Sequence, residues 1–440
     1  MADWTKRLQS IKEEFLLTMP HVARLAKLFQ NAIADGLAGR STSLKMLPTF
    51  LTVPTGEEKG TFLTLDFGGT NVRVMEIELR GDGMLKIIRQ RSRPLRHPRG
   101  LYDHCAAQSA ATDLFDFLAG LIGELAKPGK RYTLGHTFSF PTRQTGVNDA
   151  VLLHWTKEIR TRDVEGRNVT ELLSRALQRR GLDQVTPRAV INDTTAVLLA
   201  AAYREAQTDM GSVCGTGHNT AYLEQAGTQG PGIINLEAGN FDRVAPTFFD
   251  KLLDDGSDSP GRQRLEKMVA GRYLGELVRL MLRNLAEEGL FAGHSGVCRM
   301  LEKPDLLKSE DLAGVLHDAS PTLQGIHHIL EQRLHLTGTL PAERAAVKEI
   351  ARMVTTRAAR LSAGTYGGIL RHIDPDLRRP HVLAIDGSLF EKMPGYAATV
   401  RAALAEVLGD KTDAVRLLLY KDGSGIGAAV AAAVAAGRGP

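Results

Sequence analysis

Three cysteines in 440 residues, Cys105, Cys214 and Cys298, are too few and too far apart for a disulfide framework or a zinc site. Their scarcity fits a reducing compartment, and a cytoplasmic location is expected. Long apolar runs are also missing: the longest, residues 428–436, is alanine-rich and too short to span a bilayer. The opening stretch MADWTKRLQSIKEEFLL contains acidic residues and no uninterrupted apolar core, so it does not read as a signal peptide. A soluble intracellular protein with no membrane partner is expected. The charge balance is only mildly basic, +5 with a pI near 9.0, which is compatible with a polyanionic nucleotide substrate. The densest basic stretch, Arg89, Arg91, Arg93, Arg96 and Arg99, alternates at strand spacing through Arg93 and then meets prolines. It lacks the interleaved aromatics of a base-stacking platform. It therefore reads as a solvated strand edge and loop, and no nucleic-acid partner is expected.

What the chain does have is concentrated in residues 61–79, TFLTLDFGGTNVRVMEIEL. Two strand-like runs, 62–66 and 72–79, are joined by Gly68, Gly69, Thr70 and Asn71. Paired glycines between β-prone runs predict a tight hairpin. The turn carries more polar chemistry than a hairpin requires, in Asp66, Thr70, Asn71 and Arg73. Bare glycine backbone lets a phosphate approach the N–H groups, and Thr70 and Arg73 can donate further hydrogen bonds.

At this length two domains can each bury a core. Helical apolar spacing predicts opening helices over residues 4–29. A third strand, 85–91, extends the hairpin into a meander. A helix over 114–125, a strand over 132–139, a helix over 169–180 and a strand end at 190–192 follow, and then a helix over 194–206. The pattern begins again at residue 210, with a strand, the turn Gly215-Thr216-Gly217 and a returning strand over 219–224. The rounds are too far apart and too dissimilar for a fixed-period solenoid. They predict a duplicated α/β fold with two phosphate-gripping hairpins facing one cleft. Residues 261–287 contain one long amphipathic helix, and 291–345 are polar and helix-rich. Strands over 382–386 and 415–420 precede a last helix. Its glycine run, 423–427, either faces a nucleotide or permits close helix packing.

Several polar residues have bland local explanations. Asp193 before Thr194 and Thr195 fits a helix cap worth about 1 kcal/mol, and Glu237 and Glu266 fit exposed carboxylates. Yet Asn192 and Asp193 stand at a predicted strand end, where sites in α/β folds gather. Asn219 and Glu237 follow the second turn closely. Many collinear blocks also resemble the hexokinase family. They are SLKMLPTF (43–50), PTGEEKGTFLTLDFGGTNVRV (54–74), FSFPTRQTG (138–146), LLHWTKE (152–158), INDTTAVLLAAAY (191–203), GTGHNTAYLE (215–224), INLEAGNFD (234–242), SPGRQRLEKMVAGRYLGELVRL (259–280), DGSLF (386–390) and DGSGIGAA (422–429).

The resemblance implies the duplicated actin-like (RNase H-like) sugar-kinase fold. Its small lobe would be residues 61–191 plus 423–440, and its large lobe residues 1–60 plus 192–422. It implies ATP-dependent phosphorylation of a hexose, glucose above all, at the 6-hydroxyl as the first step of glycolysis. The alternatives are a catalytically silent sugar sensor or a sugar-independent ATPase on the same scaffold. Asp193 matches the catalytic base. Ser139, Phe140, Thr156, Lys157, Asn192, Asn219, Glu237 and Glu266 match sugar-contacting positions, and Lys157 and Arg73 are placed to balance charge on the transferring group. The nucleotide side falls on Asp66, Phe67, Gly68, Gly69, Thr70, Asn71, Gly215 and Thr216. Gly271, Arg272, Ser388, Leu389, Phe390, Glu391 and Lys392 match further nucleotide positions. Mg²⁺ is implied to travel with ATP, held by phosphates and waters, with Asp66 contacting it through water and no direct protein ligand. Three departures stand out. His218 replaces a small residue beside the second turn, where it either contacts phosphate or points away. Ala238 replaces a tryptophan next to Glu237, and looser packing under the sugar is expected there. Residues 291–310 match poorly where adenosine contacts are expected.

Overall fold

The structure, a computed structural model, describes residues 4–156, 158–225 and 231–437. Its frame is two mixed sheets built on one plan. In the first, strands Lys59–Phe67, Asn71–Gly81 and Met84–Pro94 form an antiparallel meander, and Tyr132–Phe138 and Val185–Ile191 continue the sheet parallel to Lys59–Phe67. In the second, Thr208–Cys214, His218–Glu224 and Gly232–Asn235 form the meander, while His381–Asp386 and Val415–Leu419 run parallel to Thr208–Cys214. The short strand Leu47–Pro48 is added at the meander edge of the second sheet. The same order of antiparallel and parallel neighbours in both sheets is the duplication that the two glycine turns predict.

Alternation along the strands sets the layers. Leu63, Leu65 and Phe67 join one core with the helices Ala111–Gly123 and Val169–Arg179. Thr64 lies toward the last helix, Gly423–Gly437. The second sheet packs its outer face on helices Met19–Leu37, Gly271–Glu287 and Pro341–Ile373. The single helix expected over 261–287 is two, Arg264–Val269 and Gly271–Glu287, because Ala270 is extended at ψ 141°. The basic strand is an edge whose arginines are matched by carboxylates. Arg89 donates to Glu76 at 2.8 and 2.6 Å, Arg91 and Arg93 face Glu124, and Arg96 faces Asp103. Among the described residues no helix is long and apolar enough to cross a membrane.

Between the sheets lie two crossed helices, Asp193–Ala202 and Gly423–Gly437, both apolar on nearly every side and therefore buried. Glycines bring backbone against backbone along this stack. A Cβ on Gly135 of the first sheet would lie 1.9 Å from the Ala428 carbonyl. One on Gly427 would lie 2.1 Å from the Ala196 carbonyl, and one on Gly211 of the second sheet 2.4 Å from the Leu198 nitrogen. Of the two readings of the glycine run at 423–427, close packing accounts for Gly423, Gly425 and Gly427, which meet Val197, Met75 and Ala196.

Candidate active site

The parallel strands of both sheets end at one region, and the candidate residues collect at those carboxyl ends. In the first sheet Lys59–Phe67 ends in Asp66 and Phe67, and Asn71–Gly81 returns with Arg73 opposite Asp66. The turn between them has Gly69 at φ 125°, and a Cβ on Gly68 would meet nothing within 4 Å. The turn is thus open above its backbone. The Thr70 carbonyl accepts from the Leu95 nitrogen at 3.0 Å, which ties the turn to the segment after Met84–Pro94. Beside it, the Ser139 nitrogen donates to the Phe67 carbonyl at 3.3 Å. Phe67, Phe138, Phe140 and Trp155 form a ring cluster, with Phe140 edge-on to Trp155 at 5.0 Å. Aromatic stacking of this kind holds the Ser139-Phe140 and Trp155-Thr156 segments together. Lys157 lies outside the described residues.

Asn192 and Asp193 begin the buried helix Asp193–Ala202. The Asn192 side chain accepts from the Thr194 nitrogen at 2.9 Å and from its hydroxyl at 2.8 Å. Asp193 Oδ1 accepts from the Thr194 nitrogen at 2.8 Å. The carboxylate therefore stands at the positive end of a helix dipole, at the junction of the two sheets.

In the second lobe the turn at Gly215 is gripped from two sides. The Gly271 nitrogen donates to the Gly215 carbonyl at 2.8 Å, and the Arg272 nitrogen to the Thr216 carbonyl at 3.1 Å. The extended Ala270 is what turns these two N–H groups toward the hairpin. Ser309 donates its hydroxyl to the Gly271 carbonyl. On the other side a Cβ on Gly215 would lie 3.3 Å from Gly387 Cα and 3.4 Å from the Ser388 nitrogen. Gly215, Thr216, Gly271, Arg272 and Ser388 are therefore brought together from three distant segments. Leu389 and Phe390 have their side chains buried in the core, and Glu391 pairs with Lys421 at 2.5 Å. Lys392 is exposed.

Asn219, Glu237 and Glu266 form the adjoining cluster. Asn219 Nδ2 donates to Asn235 Oδ1 at 2.8 Å and lies 3.4 Å from Glu237 Oε1. Glu266 Oε1 accepts from the His218 nitrogen at 3.2 Å. Gly217 and Gly239 leave room for Glu266, since a Cβ on either would come within 2.9 Å of it. Ala238 is fully buried, and its nitrogen donates to Asn219 Oδ1 at 2.9 Å.

One arginine joins the two sheets across the site. Arg73 donates to Asp66 at 3.2 Å and to Asp422 at 2.5 Å, and Asp422 follows the last strand of the second sheet. Asp386, at the end of His381–Asp386, lies near Asp422 and Asp193. Burial, helped by the negative charge of those two, pushes its carboxyl above the usual range.

His218 points away from the turn at Gly215. Strand alternation puts it on the face opposite Asn219, where its ring lies 6.2 Å from that of Tyr366 on the helix Pro341–Ile373. Both ring nitrogens are buried without a hydrogen-bond partner, and burial pushes the imidazole down to about 4. His136, in the core of the first sheet, is equally unpartnered and is pushed down to about 3. As pH falls below 6.5 the unfolded chain protonates these histidines before the native protein does. Their contribution to stability is thus complete above about 6.5 and lost as pH falls toward 4. Each is worth on the order of 3 kcal/mol over that window. Replacing His218 with leucine is expected to flatten the decline between pH 7 and pH 4.5, as read by urea unfolding. An unchanged acid limb would count against a buried neutral His218.

With this geometry in place, the comparisons with known proteins are decisive. Two family models, both described as Hexokinase, match residues 7–203 and 209–434. The chain belongs to the hexokinase family. It is 34% identical over 450 residues to hexokinase-7 of Oryza sativa subsp. japonica, covering 96% of each chain. It is 36% identical over 432 residues to hexokinase-1 of Nicotiana tabacum, covering 90% of this chain and 84% of the relative. Among solved structures, a hexokinase from Schistosoma mansoni complexed with glucose superposes with a TM-score of 0.83 at 32% identity over 98% of each chain. A second solved hexokinase gives a TM-score of 0.85 over 98% of this chain and 99% of its own. This hexokinase accordingly has the actin-like sugar-kinase fold and is an ATP-dependent hexose-phosphorylating enzyme. The candidate residues also have neighbours that the sequence alone did not single out: Asn235, Ser309, Asp386 and Asp422. Only Asp386 and Asp422 carried a local signal, each being an acidic residue at or just after a strand end and followed by glycine.

Proposed function

We propose that this hexokinase transfers the γ-phosphoryl group of ATP to the 6-hydroxyl of D-glucose, giving glucose 6-phosphate and ADP at the entry to glycolysis. The observation that supports this is the Arg73 bridge, which ties Asp66 beside the first glycine turn to Asp422 after the last strand of the second sheet, with Asp193 opening the helix between the two sheets. The likeness to a hexokinase solved with glucose supports the choice of sugar.

In this reading the glucose hydroxyls are held by Ser139, Phe140, Thr156, Lys157, Asn192, Asn219, Glu237 and Glu266. A ring of amides and carboxylates rejects a sugar lacking a hydroxyl, because a buried partner would be left unpaired. Asp193 orients the 6-hydroxyl and takes its proton as that oxygen attacks the γ-phosphorus and the bond to the β–γ bridging oxygen breaks. The turn at Gly68, Gly69, Thr70 and Asn71 and the turn at Gly215 and Thr216 offer N–H donors to the phosphates. Gly271, Arg272 and residues 388–392 border the rest of the nucleotide. Arg73 and Lys157 offset the developing charge.

The donor set fits a divalent cation that arrives with ATP. Asp66 and Asp422 both pair with Arg73, and Asp386 lies near Asp422 and Asp193, so carboxylates gather at this end of the two sheets. No group of three or more metal-ligating side chains forms a ready cage among the described residues. Asp66 would hold Mg²⁺ through water, and the ion would neutralise phosphate charge. The lobes, residues 61–191 with 423–440 and residues 1–60 with 192–422, would close on sugar around the buried helix pair and exclude water that would otherwise take the phosphoryl group. Residues 1–3 and 438–440 of those lobes lie outside the described residues.

A coupled assay across glucose, mannose, fructose and a panel of nucleotide donors tests this. The expected result is the highest kcat/KM with glucose and ATP. Glucose binding without turnover would point instead to a silent sensor, and hydrolysis of ATP without sugar to an ATPase. Neither is favoured, since the matched base and phosphate-turn residues are all present.

A further inference from the structure

We infer that Asn235 is a positioning residue that fixes the sugar-facing geometry of Asn219 and Glu237; this rests on the proposed hexose site. Asn235 ends the strand Gly232–Asn235 and is 5% exposed. Its side chain touches both neighbours at once. Oδ1 accepts from Asn219 Nδ2 at 2.8 Å, and Nδ2 donates to Glu237 Oε1 at 2.9 Å. The orientation of each amide is dictated by its surroundings. Asn219 Oδ1 already accepts from the Thr220 nitrogen at 2.7 Å and the Ala238 nitrogen at 2.9 Å, so its NH₂ group must face Asn235. A carboxylate can only accept, so the NH₂ group of Asn235 must face Glu237.

Glu237 needs such a hold. It sits at φ 52°, a left-handed conformation uncommon for a residue with a side chain, and its backbone is anchored locally. Its nitrogen donates to Asn235 Oδ1 at 3.3 Å, and its carbonyl accepts from Asn240 Nδ2 at 3.1 Å. Asn235 thus grips the main chain and the carboxylate of the same residue while setting the amide of Asn219. It acts on sugar recognition only through those two side chains. Asp193, the proposed base, is held separately, its Oδ1 accepting from the Thr194 nitrogen. Loss of Asn235 should therefore weaken sugar binding and leave the chemical step nearly intact.

The test is Asn235→Asp, an isosteric change that replaces the donor facing Glu237 with an acceptor, and Asn235→Ala as a second variant. Glucose Kd by calorimetry without nucleotide, and KM and kcat by coupled assay, are measured beside the thermal midpoint. Kd and KM are expected to rise together by roughly tenfold or more, with kcat within about threefold of wild type. In a cycle with Glu237→Gln the penalties should be strongly non-additive, because both changes damage one contact. A purely structural role would lower the midpoint, leave Kd within about twofold and give additive penalties, and that result would overturn the inference. Wild-type protein that phosphorylates no hexose would remove the proposed function and this inference together. Normal wild-type turnover with unchanged sugar affinity in both Asn235 variants would remove this inference alone.

Discussion

Asp193→Ala is expected to lower kcat by about 10²- to 10⁴-fold or more, while glucose Kd changes little. The two parts of that expectation have different origins. The loss follows from the proposed role as proton acceptor for the 6-hydroxyl, which no described neighbour duplicates in position. Asp386 lies nearby, but its carboxyl is pushed up by burial and occupied by the backbone N–H groups of Gly387 and Gly423. The preserved binding follows from how the helix start is built. Asn192, not Asp193, caps the helix Asp193–Ala202, by accepting from Thr194. Removing the Asp193 carboxylate forfeits its share of the Thr194 N–H, which Asn192 also accepts, and one favourable charge at a helix N-terminus worth about 0.3–1 kcal/mol. Calorimetry for sugar binding and single-turnover kinetics for the phosphoryl step check the two parts separately. Turnover within tenfold of wild type would remove Asp193 from the mechanism. A large loss of glucose affinity would mean that its main role is to hold the sugar.

Much of this architecture is readable locally, and the remainder depends on partners far away in sequence. The hairpins at Gly68 and Gly215 are visible because glycines interrupt β-prone runs, and their repetition reveals the duplication. Residues 261–287 read as one helix because apolar spacing runs unbroken through Met268, Val269 and Tyr273. The break at Ala270 comes from the Gly271 nitrogen bonding to Gly215, a contact across more than fifty residues of chain. The helix Pro341–Ile373 has no clear amphipathic stripe because it is buried on most sides. For the site, Gly215, Thr216, Gly271, Arg272 and Ser388 meet from segments a sequence reading could only match one at a time, whereas Leu389 and Phe390 turn into the core. Asn235 and Ser309 are different. Each is an ordinary polar residue in its local context, and only the fold places it against Glu237 or Gly271.

The glycine stack between the sheets yields a prediction whose sign is diagnostic. In an ordinary helix interior, glycine to alanine stabilises by about 1 kcal/mol, because alanine loses less backbone entropy on folding. Gly427→Ala is expected to do the reverse and destabilise by about 2 kcal/mol or more, with Gly427→Leu worse still. The added Cβ would lie 2.1 Å from the Ala196 carbonyl and 2.5 Å from Ala196 Cα. Both are main-chain atoms, so no side chain can swing aside, and the helices Asp193–Ala202 and Gly423–Gly437 would have to separate. Gly437 at the end of the same helix serves as the control, since a Cβ there meets nothing within 4 Å. Urea unfolding of Gly427→Ala and Gly437→Ala beside wild type measures the difference. If Gly427→Ala is as stable as wild type, the two helices do not cross backbone to backbone. Function should follow stability here, because Asp193 opens one of the crossed helices and Asp422, the partner of Arg73, immediately precedes the other. A shift of the crossing would move the proposed base relative to the arginine that spans the site. Any folded Gly427→Ala protein is therefore expected to lose more in kcat than in glucose affinity.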